Sequence, residues 1–146
     1  MLDRLGDVFK SLNEHEVRYV VLGGIAVVLH GVPRATMDLD LLIEATPDNA
    51  TRLLQALLQA GLGTAALTTA EAVLHNEMTI FKDRVRIDVL TSTPGLAFEA
   101  AWRDRQTMSF RGQDFYVVSR EHLIASKKAA GRSVDLEDVR LLELPE

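Results

Sequence analysis

The spacing of apolar residues changes several times along the chain, and each spacing predicts an element. Apolar residues three or four apart predict amphipathic helices, whereas alternation or a short continuous apolar run predicts strands. The predicted strands are Val17–Leu22, Asp38–Ile43, Val73–Phe81, Arg84–Leu90, and a hairpin of Met108–Phe110 and Phe115–Val118 around Gly112-Gln113. The predicted helices are Leu2–Glu14, Ile25–His30, a helix from Pro47 to about Gly61, Leu96–Arg103, a helix from Ser119 to about Gly131, and Ser133–Leu142.

The order of these elements predicts the fold class. Strands interleaved with helices, without an internal repeat or a linker, indicate a mixed α/β (α+β) domain. A length of 146 residues fits one domain. We expect a single domain over residues 1–146, with a core at about 15–92 and a C-terminal hairpin and helical tail at about 95–146.

The pattern also predicts where some side chains point. A buried stripe is expected on the helix that begins at Pro47, formed by Leu53, Leu54, Leu57 and Leu58. In the strand that ends at Leu90, valine and isoleucine alternate with Asp88, so Asp88 is expected on the face opposite the core. A tight turn at Lys82-Asp83 should precede that strand.

Composition and charge exclude several kinds of protein. The chain has no cysteine, which excludes disulfides, thiolate zinc sites and cysteine nucleophiles. The net charge of −5 disfavours binding to extended duplex nucleic acid, although a short nucleic-acid end remains compatible. No apolar run approaches the ~20 residues that span a bilayer, and the first residues lack the apolar core of a secretory signal. We therefore expect a cytoplasmic protein without a membrane partner.

Three aspartates are the strongest candidates for chemistry. Asp38 and Asp40 are two residues apart on a predicted strand, so both side chains leave the same face and could bind a hard cation such as Mg²⁺ or Mn²⁺. Asp88, on a neighbouring strand, is the candidate for a third ligand. The alternative is structural, with Asp38 capping a turn and Asp40 on a solvated strand face.

Gly23 and Gly24 lie between a predicted strand and a predicted helix. Backbone amides at such a junction can bind an anion, and glycine lets a phosphate come close. The segment is not a P-loop, because the lysine of that motif is absent. A simple turn is the alternative interpretation of the glycine pair.

Basic residues offer further phosphate ligands. Arg34 precedes the aspartate strand and could pair with a triphosphate or with Asp38, or could form a salt bridge that braces the turn. Lys127 and Lys128 belong to the densest basic cluster, in which Lys128 and Arg132 are expected on one helical face. A solvated face is the alternative for this cluster, with nearby aspartates neutralising its charge.

These motifs together resemble the nucleotidyltransferase superfamily that includes DNA polymerase β. The similar segments are VLGGIAVVLHG, RATMDLDLLI and VRIDVL, and the tail HLIASKKAAGRSVDLEDVRLL is similar to that of small members related to MNT-type antitoxins and AbiEii-type toxins. The resemblance implies a nucleotidyltransferase-like fold, with a mixed β-sheet flanked by helices and a helical C-terminal tail. It also implies transfer of NMP from a metal-bound NTP, such as ATP, to an acceptor hydroxyl. That acceptor could be an RNA 3′ end, a protein or a small molecule.

The resemblance also implies roles for residues. Asp38, Asp40 and Asp88 would bind metal, and Asp88 would also help to deprotonate the acceptor. Gly23 and Gly24 would hold the triphosphate, with Arg34, Lys127 and Lys128 as further nucleotide ligands. Many relatives carry Gly-Ser where this chain has Gly-Gly, so the phosphate contact of that serine must come from the backbone or be missing.

Two other functions are compatible with the sequence. The chain could be a binding protein of the same fold that acts as an antitoxin or partner subunit, because 146 residues leave little room for an acceptor-binding domain. It could also be an ordinary acidic domain whose aspartates meet by chance. In the latter case the three carboxylates should be scattered in the folded chain.

Overall fold

A computed structural model describes residues 2–36 and 38–145. Met1, Met37 and Glu146, which the predicted domain includes, lie outside the described residues. The strands are β1 (Tyr19–Leu22), β2 (Asp38–Ile43), β3 (Met78–Lys82), β4 (Arg86–Leu90), β5 (Gln106–Phe110) and β6 (Gln113–Val117). The helices are α1 (Gly6–Glu14), α2 (Gly23–Leu29), α3 (Pro47–Gln59), α4 (Ala70–His75), α5 (Phe98–Arg103), α6 (Arg120–Ala130) and α7 (Ser133–Leu142), with 3₁₀ turns at Leu2–Arg4 and Gly63–Leu67.

The strands form one mixed sheet in the order β3-β4-β2-β1-β6-β5. The pairs β2–β4 and β1–β6 are parallel, and the other neighbours are antiparallel. The predicted mixed sheet with flanking helices is therefore confirmed. The C-terminal hairpin of β5 and β6 extends the sheet of the N-terminal part, because β6 pairs with the central strand β1.

The hydrophobic core includes every residue of β1 and part of the neighbouring strands. Alternate residues of β2 and β4 are fully buried, as the period of two requires, namely Leu39, Leu41, Ile87 and Val89. They join the buried side chains of α1 and α3 in a single cluster. Burial of this many apolar side chains fixes the register of β2 against β4, since a shift by one residue would expose each strand's apolar set.

Several predicted boundaries were wrong. Val73 lies in α4 rather than in a strand, because the Thr69 hydroxyl accepts a hydrogen bond from the amide of Ala72 and caps a short helix. The buried stripe of α3 is narrower than expected, since Leu58 is 45% exposed. The strand predicted from Arg84 begins two residues later, after a turn that includes Asp83.

Turn geometry explains one further difference and one confirmed prediction. The hairpin between β5 and β6 turns at Arg111-Gly112 rather than at Gly112-Gln113, and both turn residues have positive φ, 49° and 80°. Two consecutive positive φ angles are typical of the tight turns that match the twist of a hairpin. Gly131, with φ of 70°, ends α6 as predicted.

In the described residues, no helix is long and apolar enough to cross a membrane.

Candidate active site

The register of β2 and β4 brings the three predicted aspartates to one face of the sheet. Asp40 is directly opposite Asp88, and Asp38 is directly opposite Arg86. Directly paired residues of neighbouring strands point to the same face, and residues two apart on a strand do as well. All three carboxylates therefore leave the face opposite the buried residues of the same two strands.

Burial and repulsion from neighbouring carboxylates both raise the pKa of the Asp40 carboxyl group. Burial is the largest effect, followed by the charges of Asp88 and Asp38, and together they raise the pKa of Asp40 to about 7. A hydrogen bond between the side chains of Asp40 and Asp88 acts in the same direction. Asp40 is thus held partly protonated near neutral pH, and a cation among these carboxylates would favour its ionised form.

Arg86 is a site residue that the sequence analysis did not identify. Its guanidinium donates hydrogen bonds to Asp88, with Nε–Oδ1 at 3.0 Å and Nη2–Oδ2 at 3.3 Å. The same Nε lies 3.7 Å from Oδ2 of Asp38. The alternation that places Asp88 on this face also places Arg86 there, so the signal was present in the strand pattern.

The donor set suits a divalent cation, although the carboxylates are not yet arranged around one. Oxygen ligands from Asp38, Asp40 and Asp88 are those that Mg²⁺ and Mn²⁺ prefer. Among residues 2–36 and 38–145, no three acidic or histidine side chains form a ready metal-binding group. Arg86 supplies positive charge between two of the aspartates, so metal binding would require its guanidinium to move.

Gly23 is needed because Asp40 packs directly against it. Gly23 has φ of +67°, and a Cβ atom at this position would overlap the Asp40 carboxylate. Glycine is therefore required both by backbone conformation and by the close approach of the carboxylate. The same residue lines the cavity beside Asp40.

Gly24 has a different environment from the one expected. The position of its absent side chain is filled by Thr36, whose Oγ1 would lie 2.8 Å from an added Cβ atom. Gly24 does not line the cavity beside Asp40. The structure thus brings Gly23, but not Gly24, to the carboxylates.

A cavity of about 360 Å³ opens beside Asp40 and Asp88. This volume is in the range of small-molecule sites. Its lining comprises Leu22, Gly23, Asp40, Met78, Asp88, Leu90, Thr93, Ser126, Lys127, Ala130, Arg132 and Asp135. The wall opposite the aspartates therefore comes from the end of α6 and the start of α7, and it carries two cationic side chains.

Lys127 is held in this wall by two buried aspartates. Its Nζ lies 3.0 Å from Asp138 and 3.4 Å from Asp135, and only 11% of its side chain is exposed. Burial alone would raise the pKa of Asp135, but hydrogen bonds from Arg132 and the charges of Lys127 and Arg132 outweigh it and lower that pKa. The cluster is an ionised network that joins α6 to α7.

Two of the predicted basic nucleotide ligands, Arg34 and Lys128, also lie outside the cavity. Arg34 contacts Asp138 at 2.5 Å rather than Asp38, so it ties the loop before β2 to α7. Lys128 is 57% exposed and pairs with Glu143 at 3.0 Å. Lys128 and Arg132 do not share a helical face, because α6 ends at Ala130 and Arg132 caps α7.

Comparisons with known proteins agree with this architecture. Residues 3–145 match the model of a family described as "Nucleotidyltransferase of unknown function" (DUF6036). A Thermotoga maritima protein described as a candidate nucleotidyltransferase has a solved structure that is 16% identical, with a TM-score of 0.63, covering 96% of this chain and 90% of that chain. An antigenic nucleotidyltransferase-like protein from Paracoccidioides brasiliensis is 17% identical, with a TM-score of 0.58, covering 94% and 72%. A comparison with curated proteins found no match.

The two kinds of similarity support different conclusions. At such low identity, the solved structures support the fold alone. The family match spans nearly the whole chain, and it confirms the resemblance to the nucleotidyltransferase superfamily that the aspartate and glycine motifs indicated. The chain belongs to this family of nucleotidyltransferases whose function is unknown.

Proposed function

We propose that this chain transfers NMP from an NTP, with ATP as the first candidate, to an acceptor hydroxyl. The observation that carries the proposal is the register of β2 and β4, which sets Asp38, Asp40 and Asp88 on one face. The cavity beside two of them has a cationic wall that suits a triphosphate. Asp38, Asp40 and Asp88 would hold Mg²⁺ or Mn²⁺, which when bound supplies positive charge to the phosphates and to the reacting oxygens.

Several residues of the chain would have separate roles in the transfer. Lys127 and Arg132 line the cavity and would contact the triphosphate while Asp135 holds them in place, and Gly23 lets the Asp40 carboxylate lie close to the backbone. Asp88 accepts the proton of the acceptor hydroxyl. The acceptor oxygen then forms a bond to the α-phosphorus while the bond from that phosphorus to the bridging oxygen of pyrophosphate breaks. We assign no nucleotide contact to Gly24, Arg34 or Lys128, because none of them lines this cavity.

The first test is nucleotide binding and NMP transfer by the full chain. Titration with each NTP in the presence of Mn²⁺, by calorimetry, should show binding by the wild type and loss of binding in Asp40→Asn. Asp114→Asn is the matched control, because Asp114 is exposed on β6, which is separated from β2 by β1. Transfer is then followed with NTP labelled at the α-phosphate. If the wild type binds no metal–NTP, or if Asp40→Asn binds as well as the wild type, the proposal is wrong.

A second candidate function is that of a partner subunit in a toxin–antitoxin pair related to the MNT and AbiEii groups. The observation that favours it is the edge strand β3, where Met78 and Ile80 are 46% and 48% exposed beside the carboxylates. Exposed apolar residues on an edge strand are suited to pairing with another chain. Replacement of Ile80 by Thr should weaken co-purification of a second protein if this function holds, while a monomer that turns over NTPs alone would count against it.

A further inference from the structure

A second cavity lies on the other side of the carboxylates from the first. It has a volume of about 350 Å³ and is lined by Arg4, Thr36, Asp38, Lys82, Asp83, Arg84, Val85 and Arg86. Asp40 and Asp88 line the first cavity, whereas Asp38 and Arg86 line the second. Because the pair Asp38–Arg86 is two residues along β2 and β4 from the pair Asp40–Asp88, the two cavities lie on either side of the row of carboxylates.

The second cavity has more positive charge than its surroundings neutralise. Four of its lining residues are cationic, and two are acidic. Arg86 is engaged with Asp88 and Asp38. Within residues 2–36 and 38–145, Arg4, Lys82 and Arg84 form no ion pair with a carboxylate. This concentration of charge is unexpected in a chain whose net charge is −5.

Two of these cations are held in place by neutral groups. Arg4 donates to the carbonyl oxygen of Arg84 at 3.1 Å, and Arg84 donates to that of Arg4 at the same distance. Arg84 also donates to the carbonyl oxygen of Ala60 at 2.9 Å. Carbonyl partners orient a guanidinium without cancelling its charge, so both remain available to an anion. Guanidinium groups match the geometry of phosphate oxygens particularly well.

We propose that this second cavity binds the acceptor and selects one that carries a phosphate group near its reactive hydroxyl. Nucleotidyl transfer needs two substrates at the carboxylates proposed to bind metal, and one cavity lies on each side of these carboxylates. The first contains the cationic wall of Lys127 and Arg132 for the triphosphate, which leaves the second for the acceptor. This inference rests on the proposed function, and it names the substrate class of the same site.

Phosphate in the second cavity would also act on the carboxylates. Arg86 lines this cavity and is hydrogen-bonded to Asp88. A phosphate beside Arg86 competes with Asp88 for its guanidinium and draws positive charge away from that carboxylate. Acceptor binding would therefore weaken the hydrogen bonds between Arg86 and Asp88.

The test measures acceptor binding separately from nucleotide binding. A fluorescein-labelled RNA octamer with a free 3′ hydroxyl is titrated with the full chain by fluorescence anisotropy, and ribose 5-phosphate serves as competitor. Lys82→Gln and Lys82→Glu are the variants, because the Lys82 side chain is exposed and has no hydrogen-bond partner among residues 2–36 and 38–145. Lys10→Gln, at an exposed position on α1, is the control.

We expect the octamer to bind, with Lys82→Glu weakening binding about tenfold and Lys10→Gln changing it less than twofold. The slope of log affinity against log salt should decrease by about 0.7 in Lys82→Gln, as for one lost phosphate contact to a single strand. Direct calorimetric titration with ribose 5-phosphate covers the case in which the octamer does not bind, and binding that depends on Lys82 would then still support a phosphate-bearing acceptor and identify a small molecule as its source. Absence of binding by both probes, or equal octamer affinity in Lys82→Glu and wild type, would overturn the proposal.

Calorimetry with Mn²⁺–ATP on the same variants separates the two proposals. Lys82→Glu should bind Mn²⁺–ATP as the wild type does. If the wild type binds no nucleotide but binds the octamer through Lys82, the proposed function is wrong, whereas phosphate binding in the second cavity is supported. If nucleotide binds and phosphate-bearing probes do not, the proposed function stands and the acceptor inference fails.

Discussion

The guanidinium of Arg86 is hydrogen-bonded to the carboxylate of Asp88, with Nε and Oδ1 at 3.0 Å. Asp88 is nearly buried, with 11% of its side chain exposed, so its negative charge needs a counter-charge. In the absence of a metal ion, Arg86 provides that charge. The same interaction places a cation in competition with any metal ion at this carboxylate.

Replacement of Arg86 by glutamine should therefore strengthen metal binding. Without the guanidinium, Asp88 and Asp38 can be compensated only by an added cation, and we expect Mn²⁺ affinity to increase about three- to tenfold at pH 8. Electron paramagnetic resonance of free Mn²⁺ measures this directly. Arg140→Gln is the control, since Arg140 pairs with Glu137 on the exposed side of α7. Equal or weaker Mn²⁺ binding in Arg86→Gln would show that Arg86 assists the site instead of competing for it.

Replacement of Asp40 by asparagine should abolish Mn²⁺ binding and should increase the stability of the folded chain above pH 7. Burial and the charges of Asp88 and Asp38 raise the pKa of Asp40 to about 7. A carboxyl group whose pKa is raised on folding contributes stability at low pH, and this contribution is lost as pH increases from about 4 to about 7. Above pH 7, the metal-free Asp40→Asn variant should be more stable than the wild type by on the order of 2 kcal/mol, because it removes the buried charge.

Urea unfolding at pH 5 and pH 8, in the presence of a chelator, measures this effect. The stability difference should be small at pH 5 and larger at pH 8, while Mn²⁺ binding by the variant is lost. Asp114→Asn should show no such pH dependence. A variant that is destabilised at pH 8 would mean that ionised Asp40 is favourably compensated in the folded chain.

The strand pattern predicted most of this site, because a period of two specifies which side chains share a face. It placed Asp38, Asp40 and Asp88 opposite the core, and it contained the same information for Arg86. The pattern could not show that Asp40 lies directly opposite Asp88, since register between strands distant in sequence depends on packing of the whole core. Thr36 filling the position beside Gly24 is a tertiary contact of the same kind.

The helical wall was less predictable. Ser119 and Gly131 indicated both ends of α6 correctly through their capping roles. The burial of Lys127 was not predictable, because it results from the packing of α6 against α7 and from ion pairs with Asp135 and Asp138. From sequence alone, Lys127 and Lys128 are adjacent and chemically identical, and only the fold distinguishes them.

Those two lysines should respond very differently to substitution. Lys127→Gln leaves two buried aspartates without their shared cation, and we expect a loss of about 2–4 kcal/mol at pH 7, moderated by the arginines that remain. Lys128→Gln removes only an exposed ion pair and should cost at most about 0.5 kcal/mol. Urea unfolding of both variants against the wild type provides the comparison. Similar effects of the two substitutions would contradict the buried network.

Acid should reduce the difference between Lys127→Gln and the wild type. The pKa of Asp135 is lowered in the folded chain, because hydrogen bonds from Arg132 and the charges of Lys127 and Arg132 outweigh the effect of burial. A lowered carboxyl pKa contributes stability above the unfolded value of 3.8, and this contribution is lost as pH falls below it. The stability gap should therefore be constant near neutral pH and should narrow below about pH 4.

Gly23→Ala should damage both the fold and the carboxylate site. The positive φ of +67° disfavours alanine by about 1–2 kcal/mol, and the added Cβ overlaps the Asp40 carboxylate. We expect a total loss of at least about 2 kcal/mol, together with weaker Mn²⁺ binding, because Asp40 must move. Gly6→Ala is the matched control, since Gly6 opens α1 with negative φ and with no atom within 4 Å of an added Cβ. That substitution should be neutral or stabilising by up to about 1 kcal/mol. Wild-type stability and Mn²⁺ affinity in Gly23→Ala would show that the contact between Gly23 and Asp40 is not required.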